Sequence, residues 1–101
     1  MSFTTQLSGD GRSLTISIQG RFDFSRHLEF RDCYENLSMD PVSYCLDLGE
    51  TTYLDSSALG MLLLLRDRVG GDRSCIEIIN CSPDIKKVLT ISNFQQLFSI
   101  H

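Results

Sequence analysis

The sequence has few cations and no basic stripe. Its 101 residues include 9 Lys and Arg against 13 Asp and Glu, the net charge is −4, and the longest run of adjacent cations is Lys86-Lys87. Nucleic acids and anionic membrane surfaces are bound largely through Lys and Arg side chains that neutralise phosphates. The sequence therefore argues against both kinds of partner.

Long apolar runs and a secretory leader are also missing. The longest apolar run, residues 61–65, is far shorter than the roughly 20 residues that a helix needs to cross a bilayer. The first residues, Met1-Ser2-Phe3-Thr4-Thr5, have neither the positive nor the apolar segment of a signal peptide. We therefore expect a soluble, cytoplasmic protein without a membrane partner.

Paired metal-binding or redox motifs are absent as well. None of the cysteines and histidines stands at C-x-x-C or metal-ligand spacing: Cys33, Cys45, Cys75, Cys81, His27 and His101. Three of the cysteines fall in apolar segments, which predicts reduced thiols buried as small hydrophobic groups. Zinc binding and a disulfide are the alternatives, and we expect neither a metal nor a cofactor.

The composition is typical of one globular domain. The chain is 42% hydrophobic and 22% charged, with only two prolines, and its length suffices for one hydrophobic core without disulfide staples. We predict a single domain over residues 1–101.

Strand-like and helix-like segments alternate along the chain. Alternating polarity predicts an N-terminal hairpin of strands at 3–7 and 14–19. Further strands are predicted at 42–48 and 75–79, an edge strand at 97–100, and helices at 26–37, 56–69 and 83–91. Ser25 and Ser82 are the predicted N-caps of the first and third helices. The strand–helix–strand order implies a parallel pair, and the predicted fold is an α/β mixed sheet of four or five strands with about three helices.

The second predicted helix begins with Asp55-Ser56-Ser57-Ala58-Leu59-Gly60. Asp55 is a good N-cap, and the first backbone N–H groups of a helix have no intrahelical acceptor. A phosphate on either serine would therefore lie in a favourable anion environment. Asp and Ser are also common at helix starts without any further role, and capping does not choose between the two hydroxyls.

The same helix is apolar on nearly all sides in its first turns. At about 100° per residue, one face carries Ala58, Met61, Leu62, Leu65 and Val69, while Leu63 and Leu64 point the other way with Gly60 and Asp67. A helix that covers one side of a sheet should be polar on its outer face. Either neighbouring elements bury both faces or the outer face meets a partner, and an exposed apolar face beside a modifiable serine would be a switchable docking surface.

Three stretches of the chain resemble the STAS domain family, and within it the bacterial anti-anti-sigma factors, or anti-sigma factor antagonists. Gly20-Arg21-Phe22-Asp23 resembles the family's Gly-x-Leu-Asp turn. Residues 46–60 resemble its strand, loop and Asp-Ser-Ser/Thr-Gly-Leu-Gly motif, with Ala58 where the family commonly has Gly. Residues 81–89 resemble its Ser-Pro-x-Val-x-x-Leu helix. The order and spacing of the three stretches fit over essentially the whole chain.

The resemblance implies a single STAS domain, with a mixed four- to five-stranded sheet and three to four helices, that acts as an anti-sigma factor antagonist. It implies that an anti-sigma factor, itself a serine kinase that supplies ATP and Mg, phosphorylates Ser57. The unphosphorylated form would bind this anti-sigma factor and release the sigma factor, and a PP2C-type phosphatase would reverse the modification. The resemblance and the helix geometry together give the expected partner-binding residues: Asp23, Asp55, Ser56, Ser57, Ala58, Gly60, Leu63 and Leu64.

Two other functions stay open at this point. One is a STAS subunit that is not phosphorylated, such as a subunit of a lipid-transport ABC system, which would use the same apolar helix for docking. The other is a serine-nucleophile enzyme, but the chain has no G-x-S-x-G elbow and no Gly-x-x-x-x-Gly-Lys phosphate loop. We therefore expect a protein that is not an enzyme, with ATP bound by the partner kinase.

Overall fold

The computed structural model describes residues 3–35, 37 and 41–101. These residues form seven strands: β1 (Phe3–Leu7), β2 (Ser13–Ile18), β3 (Gly20–Phe22), β4 (Ser43–Asp47), β5 (Thr51–Leu54), β6 (Ile76–Ile79) and β7 (Ser99–Ile100). They also form three α-helices: α1 (His27–Glu35), α2 (Ser56–Arg68) and α3 (Pro83–Ile91). Short 3₁₀ turns at Phe24–Arg26, Gly71–Arg73 and Phe94–Gln96 complete the described elements.

Five of the strands form one mixed sheet, in the order β1-β2-β4-β6-β7. β1 and β2 pair antiparallel, and the remaining neighbours pair parallel. The predicted α/β class, the N-terminal hairpin and the parallel pair that flanks the second helix are therefore confirmed. The edge strand predicted at 97–100 is present but is shorter.

One face of the sheet carries the core. Alternate residues of β2 and β4, among them Leu14, Ile16, Ile18 and Leu46, are almost completely buried, and they belong to one cluster with the buried residues of all three α-helices. Their neighbours on the opposite face, such as Ser13, Thr15 and Ser17, are only partly buried. The domain thus has two layers, with the helices covering one side of the sheet.

The first helix begins differently from the prediction. Asp23, not Ser25, is the N-cap, and it caps a 3₁₀ turn at Phe24–Arg26 that runs directly into α1. Ser25 lies inside this turn and donates both its backbone N–H and its hydroxyl to Asp23. The helix ends at Glu35 and Leu37 is not helical, while residue 36 of the predicted helix lies outside the described residues.

The other two helices follow the prediction closely. α2 begins at Ser56 with Asp55 as its N-cap and ends at Arg68, one residue before the predicted end. α3 has Ser82 as its N-cap, whose hydroxyl accepts from the Ile85 backbone N–H at 3.3 Å, and Pro83 occupies its first turn.

Two strands were not predicted. β3 and β5 form a separate parallel pair, in segments that the sequence analysis treated as a turn and a connection. They have three and four residues, and their register shifts between Gly20 and Arg21. A strand this short and irregular shows no measurable alternation of polarity.

The cysteines are unpaired, but they are less buried than predicted. Cys75 is exposed and the other three are half-buried. Cys75 precedes β6, whose residues Ile76 and Ile78 point into the core, so alternation turns Cys75 to the opposite face. At Cys33, burial is the main cause that raises the thiol pKa to about 11, and the charges of Asp32 and Glu29 add to it.

Neither a metal cluster nor a membrane span is found in the described residues. Within 3–35, 37 and 41–101, no three His, Cys, Asp or Glu side chains are grouped to hold a metal ion. The helices in this part of the chain are too short or too polar to traverse a bilayer.

The two faces of α2 give a test of this packing. Leu62 is 0% exposed and Leu64 is 64% exposed. Leu62→Ala should lower the free energy of unfolding by about 2–5 kcal/mol because it leaves a cavity in the core. Leu64→Ala is the matched control with the same chemical change, and it should alter stability by less than about 0.5 kcal/mol. Urea unfolding followed by circular dichroism measures both, and similar losses in the two variants would contradict the orientation of the helix.

Candidate functional site

The site lies where two short parallel strands end side by side. In the β3–β5 register, Arg21 pairs with Tyr53 and Phe22 pairs with Leu54. Phe22 and Leu54 are buried. Because side chains alternate along a strand, Arg21 and Tyr53 lie on the outward side of this ladder, and the aspartates that follow, Asp23 and Asp55, continue that side.

Asp55 holds the start of α2. Its Oδ1 atom accepts a hydrogen bond from the backbone N–H of Ala58 at 3.1 Å and another from the Ser57 hydroxyl at 2.6 Å. Its backbone is extended, as an N-cap requires. One carboxylate oxygen therefore both caps the helix and fixes the hydroxyl of Ser57.

Asp23 makes a similar arrangement at the end of β3, with a backbone donor two residues on where Asp55 has one three residues on. Its Oδ1 atom accepts from the backbone N–H of Ser25 at 3.1 Å and from the Ser25 hydroxyl at 2.5 Å. Its other oxygen, Oδ2, lies 3.3 Å from Nε of Arg21 in an ion pair. The site thus contains two Asp-x-Ser turns, and the aspartate of one of them, Asp23, is paired with the Arg21 guanidinium.

Both carboxyl groups are more acidic than usual. Hydrogen bonding from the Ser57 hydroxyl is the largest cause that lowers the pKa of Asp55, followed by the Ala58 backbone N–H. Desolvation and, more weakly, the charge of Asp23 oppose the shift. The pKa of Asp23 is lowered mainly by the Ser25 hydroxyl, with help from Arg21. The two carboxylates are therefore ionised together at neutral pH and lie close enough to influence each other.

Arg21 and Tyr53 lie beside the candidate site and were not predicted from the sequence. The guanidinium carbon of Arg21 lies 4.0 Å from the centroid of the Tyr53 ring, which is a cation–π contact. The Arg21 side chain is 61% exposed. The sequence predicts a turn at Arg21. It therefore gives no indication that Arg21 lies beside Tyr53, which is 32 positions further along the chain.

The predicted serines are both at the site but differ in exposure. Ser56 is exposed, whereas Ser57 is half-buried and held by Asp55. The side chain of Ala58 is fully buried, so this residue contributes its backbone N–H to the site and its methyl group to the core.

The remaining predicted residues lie further along α2. At about 100° per residue, Ser56, Gly60 and Leu63 follow one another on the same side of the helix, and Leu64 lies beside them. Leu63 is 41% exposed and is about 10 Å from Ser56 along the helix axis. A Cβ atom at Gly60 would meet no atom of another element within 4 Å. The predicted outer face of α2 is thus open in the described structure, and it runs from the serines along the helix.

A second exposed apolar group follows Asp23 and was also missed. Phe24 is 62% exposed and Leu28 is 54% exposed. The Phe24 ring stacks on His27 at 4.3 Å between centroids, and His27 Nδ1 donates to the Phe24 carbonyl oxygen at 2.9 Å. The signal was present in the sequence, because the inward stripe of α1 at Phe30 and Tyr34 leaves Leu28 pointing outward.

This arrangement favours binding over covalent catalysis by serine. The Ser57 hydroxyl hydrogen-bonds a carboxylate that caps a helix, and in the described part of the chain neither histidine bonds to a serine. A nucleophilic serine needs a positioned base and an oxyanion site. The site offers instead acidic groups, hydroxyls and open apolar surface at one end of the sheet.

Comparison with known proteins gives the family. A protein-family model described as "Mlab, STAS domain" matches residues 5–99. A STAS-domain containing protein of Pseudomonas aeruginosa, strain UCBPP-PA14, is 58% identical over 100 residues, which cover 99% of this chain and 99% of the relative.

Solved structures share the fold at low sequence identity. An anti-sigma factor antagonist from Mycobacterium paratuberculosis superimposes with a TM-score of 0.77 at 15% identity, over 99% of this chain and 86% of that chain. The anti-sigma factor antagonist SpoIIAA in its unphosphorylated form gives a TM-score of 0.69 at 16% identity, over 98% and 86%. Its phosphorylated form from Bacillus gives 0.67 at 14% identity, over 98% and 90%.

The hydrogen bond between Ser57 and Asp55 can be tested by titration. Folding lowers the pKa of Asp55 below its ordinary value of 3.8. The ionised carboxylate therefore stabilises the fold above that pH, and this contribution is lost as the pH falls through the folded-state pKa. Ser57→Ala removes the main donor, so the pKa of Asp55 should rise toward 3.8 when followed by ¹³C NMR of the side-chain carboxyl. Ser56→Ala is the control and should leave it unchanged, and an unmoved Asp55 in Ser57→Ala would contradict the hydrogen bond.

Proposed function

We propose that this chain, which belongs to the STAS domain family, is an anti-sigma factor antagonist whose partner binding is switched by phosphorylation of Ser57. The unphosphorylated form binds an anti-sigma factor that is also a serine kinase, and it thereby releases a sigma factor. The kinase supplies ATP and Mg, and a PP2C-type phosphatase restores the unphosphorylated form. The chain itself is a cytoplasmic binding protein and not an enzyme.

The observation that carries this proposal is the position of the Ser57 hydroxyl. It lies 2.6 Å from the Asp55 carboxylate, at the first turn of a helix whose outer side exposes Leu63 and Leu64 and includes the half-buried Gly60. A partner that covers this open side must also cover the serines. A change of charge at Ser57 is therefore felt by whatever binds the helix.

Phosphorylation would change this surface strongly. A phosphoserine adds about −1.5 to −2 charge at neutral pH, beside the ionised carboxylates of Asp23 and Asp55. A partner interface that is apolar over Leu63 and Leu64 would exclude the water that hydrates this charge, and desolvating an ion is costly even when it is paired. The phosphorylated form therefore loses affinity for a partner that the unphosphorylated form binds.

The structural neighbours support the proposal at the level of the fold. The protein from Mycobacterium paratuberculosis and SpoIIAA are anti-sigma factor antagonists, and SpoIIAA is known in both phosphorylation states. At these identities the likeness extends to the fold alone. The Pseudomonas relative shares the domain, and its name gives no partner.

The phosphorylation switch can be tested with two variants and a neighbouring control. Purified protein is incubated with candidate anti-sigma factor kinases and ATP, and the phosphorylated residue is located by mass spectrometry. Ser57→Ala should take up no phosphate and bind the kinase as tightly as wild type. Ser57→Asp should bind at least about tenfold more weakly, which is about 1.4 kcal/mol. Ser56→Ala should behave as wild type in both measurements.

Two results would contradict different parts of this proposal. Phosphate on Ser56 in place of Ser57 would overturn the residue assignment. Binding of Ser57→Asp at wild-type affinity would overturn the switch at this position.

A second candidate is a STAS subunit that is not phosphorylated, such as a subunit of a lipid-transport ABC system. The description of the matching family model, which names Mlab, favours it. The open side of α2 would serve this function equally well, because docking needs the apolar surface and not the hydroxyl. Co-purification with an ABC ATPase subunit that is unchanged in Ser57→Ala and Ser57→Asp, together with no phosphate transfer from any anti-sigma factor kinase, would establish this function over the first.

A further inference from the structure

We propose that Arg21 is the counterion, within this chain, for phosphate on Ser57, and that it leaves Asp23 to bind this phosphate. The inference rests on the proposed function, since it concerns the regulation of the same site. It identifies a residue on a neighbouring strand that takes part in the switch.

Phosphorylation removes the donor that now holds Ser57. In the transfer, the bond between the γ-phosphorus and the β,γ-bridging oxygen of ATP breaks and ADP leaves. A P–O bond forms to Oγ of Ser57, and the hydroxyl proton passes to a base of the kinase. The former donor to Asp55 Oδ1 at 2.6 Å then has no hydrogen. A carboxylate is an acceptor only, and so are the oxygens of the dianionic phosphate. The phosphate therefore cannot keep this contact with Asp55. Its donors are instead water, the free backbone N–H groups in the first turn of α2 and any cation nearby.

Arg21 is the cation that the strand register brings to the edge where Ser57 lies. It lies on the outward side of the β3–β5 ladder, and its Nε reaches forward to the Asp23 carboxylate at 3.3 Å. Asp23 is close enough to Asp55 to affect its pKa, and Asp55 contacts Ser57. Arg21 is thus connected to Ser57 through two neighbouring carboxylates on the same side of the ladder.

Other arginines near the helices have partners elsewhere. Arg66 donates to Asp72 at 2.8 Å and to the Leu97 carbonyl oxygen. Arg31 pairs with Glu35 on α1. Arg26 has a buried Nη1 without a hydrogen-bond partner in the described structure, so it is the competitor that an experiment must exclude.

The exchange of partners is favourable for Arg21. Its side chain is 61% exposed, and ion pairs in such positions contribute little to stability. A guanidinium binds phosphate with two parallel hydrogen bonds, and the phosphate carries about twice the charge of a carboxylate. Asp23 keeps its two hydrogen bonds from Ser25 after Arg21 leaves, so the turn is not lost.

The exchange would extend the switch beyond α2. Asp23 would lose its cation, and the face of Tyr53 would lose the guanidinium that covers it. Phosphorylation of one residue would then alter the charge presented by both strand ends.

The test is a titration of the phosphate itself. Phosphoserine is incorporated genetically at position 57 of the full chain, so no kinase is needed, and its second pKa is followed by ³¹P NMR. Arg21 stabilises the dianion, so Arg21→Gln should raise this pKa by about half a unit. Arg21→Lys should restore part of the difference. Arg12→Gln, which removes an exposed cation at the opposite end of β2, should have no effect.

A second measurement follows Arg21 directly. Its Nε–H resonance in a ¹H–¹⁵N spectrum should move when wild type carries phosphate on Ser57. Asp23→Asn should shift this resonance in the unphosphorylated protein but not in the phosphorylated protein. Thermal unfolding shows that each variant is folded.

Distinct outcomes overturn distinct statements. An unchanged phosphate pKa in Arg21→Gln overturns the proposal, and so does an equal shift in Arg12→Gln. A shift in Arg26→Gln without one in Arg21→Gln assigns the role to Arg26 and likewise overturns it. Absence of phosphate on Ser57 after incubation with kinases would contradict the proposed function and would leave the titration unaffected.

Discussion

The parallel pairing of two very short strands places the site. The buried hydroxyl of Thr51 donates to the Ile18 carbonyl oxygen at 2.7 Å, and the Gly20 backbone N–H donates to the Glu50 carbonyl oxygen at 2.9 Å. These bonds attach the start of β5 to the chain between β2 and β3. Because the two strands then run side by side, their following residues, Asp23 and Asp55, end at the same edge. Asp23 caps the turn that leads into α1, and Asp55 caps α2, so both helices start from this edge.

Much of this fold follows from the sequence, because its larger elements have clear patterns. The alternation in β2 and the apolar face of α2 each identified an element and its orientation, and the Ser82-Pro83 start identified where α3 begins. The predicted inner and outer faces of α2 agree with the burial of Leu62 and the exposure of Leu64. These features are local, and a period of two or of 3.6 residues is enough to find them.

The features that were missed depend on contacts between distant segments. Nothing between residues 19 and 25 indicates that Arg21 lies over Tyr53, since this contact exists only after β3 and β5 pair. Ser25 was chosen as an N-cap by residue type, but Asp23 lies two residues earlier and accepts both donors of Ser25. The positions of the candidate site residues on α2 were predictable because these residues lie close together in the sequence. The position of Arg21 on β3 required the register of a ladder that has no sequence signature.

The repetition of one turn at neighbouring strand ends has a consequence for recognition. In the Asp23–Ser25 and Asp55–Ser57 turns, the aspartate accepts from the hydroxyl two residues on, and the two turns follow strands that lie about 4.8 Å apart. The surface therefore has local translational pseudosymmetry, with the same acceptor group displayed twice at a fixed interval. A binding protein that contacts both carboxylates needs donors at that interval, and Arg21 already pairs with one of the two, Asp23. The distance between the two hydrogen-bonded strands thus sets the separation of the acceptor groups that a binding partner would contact at this edge.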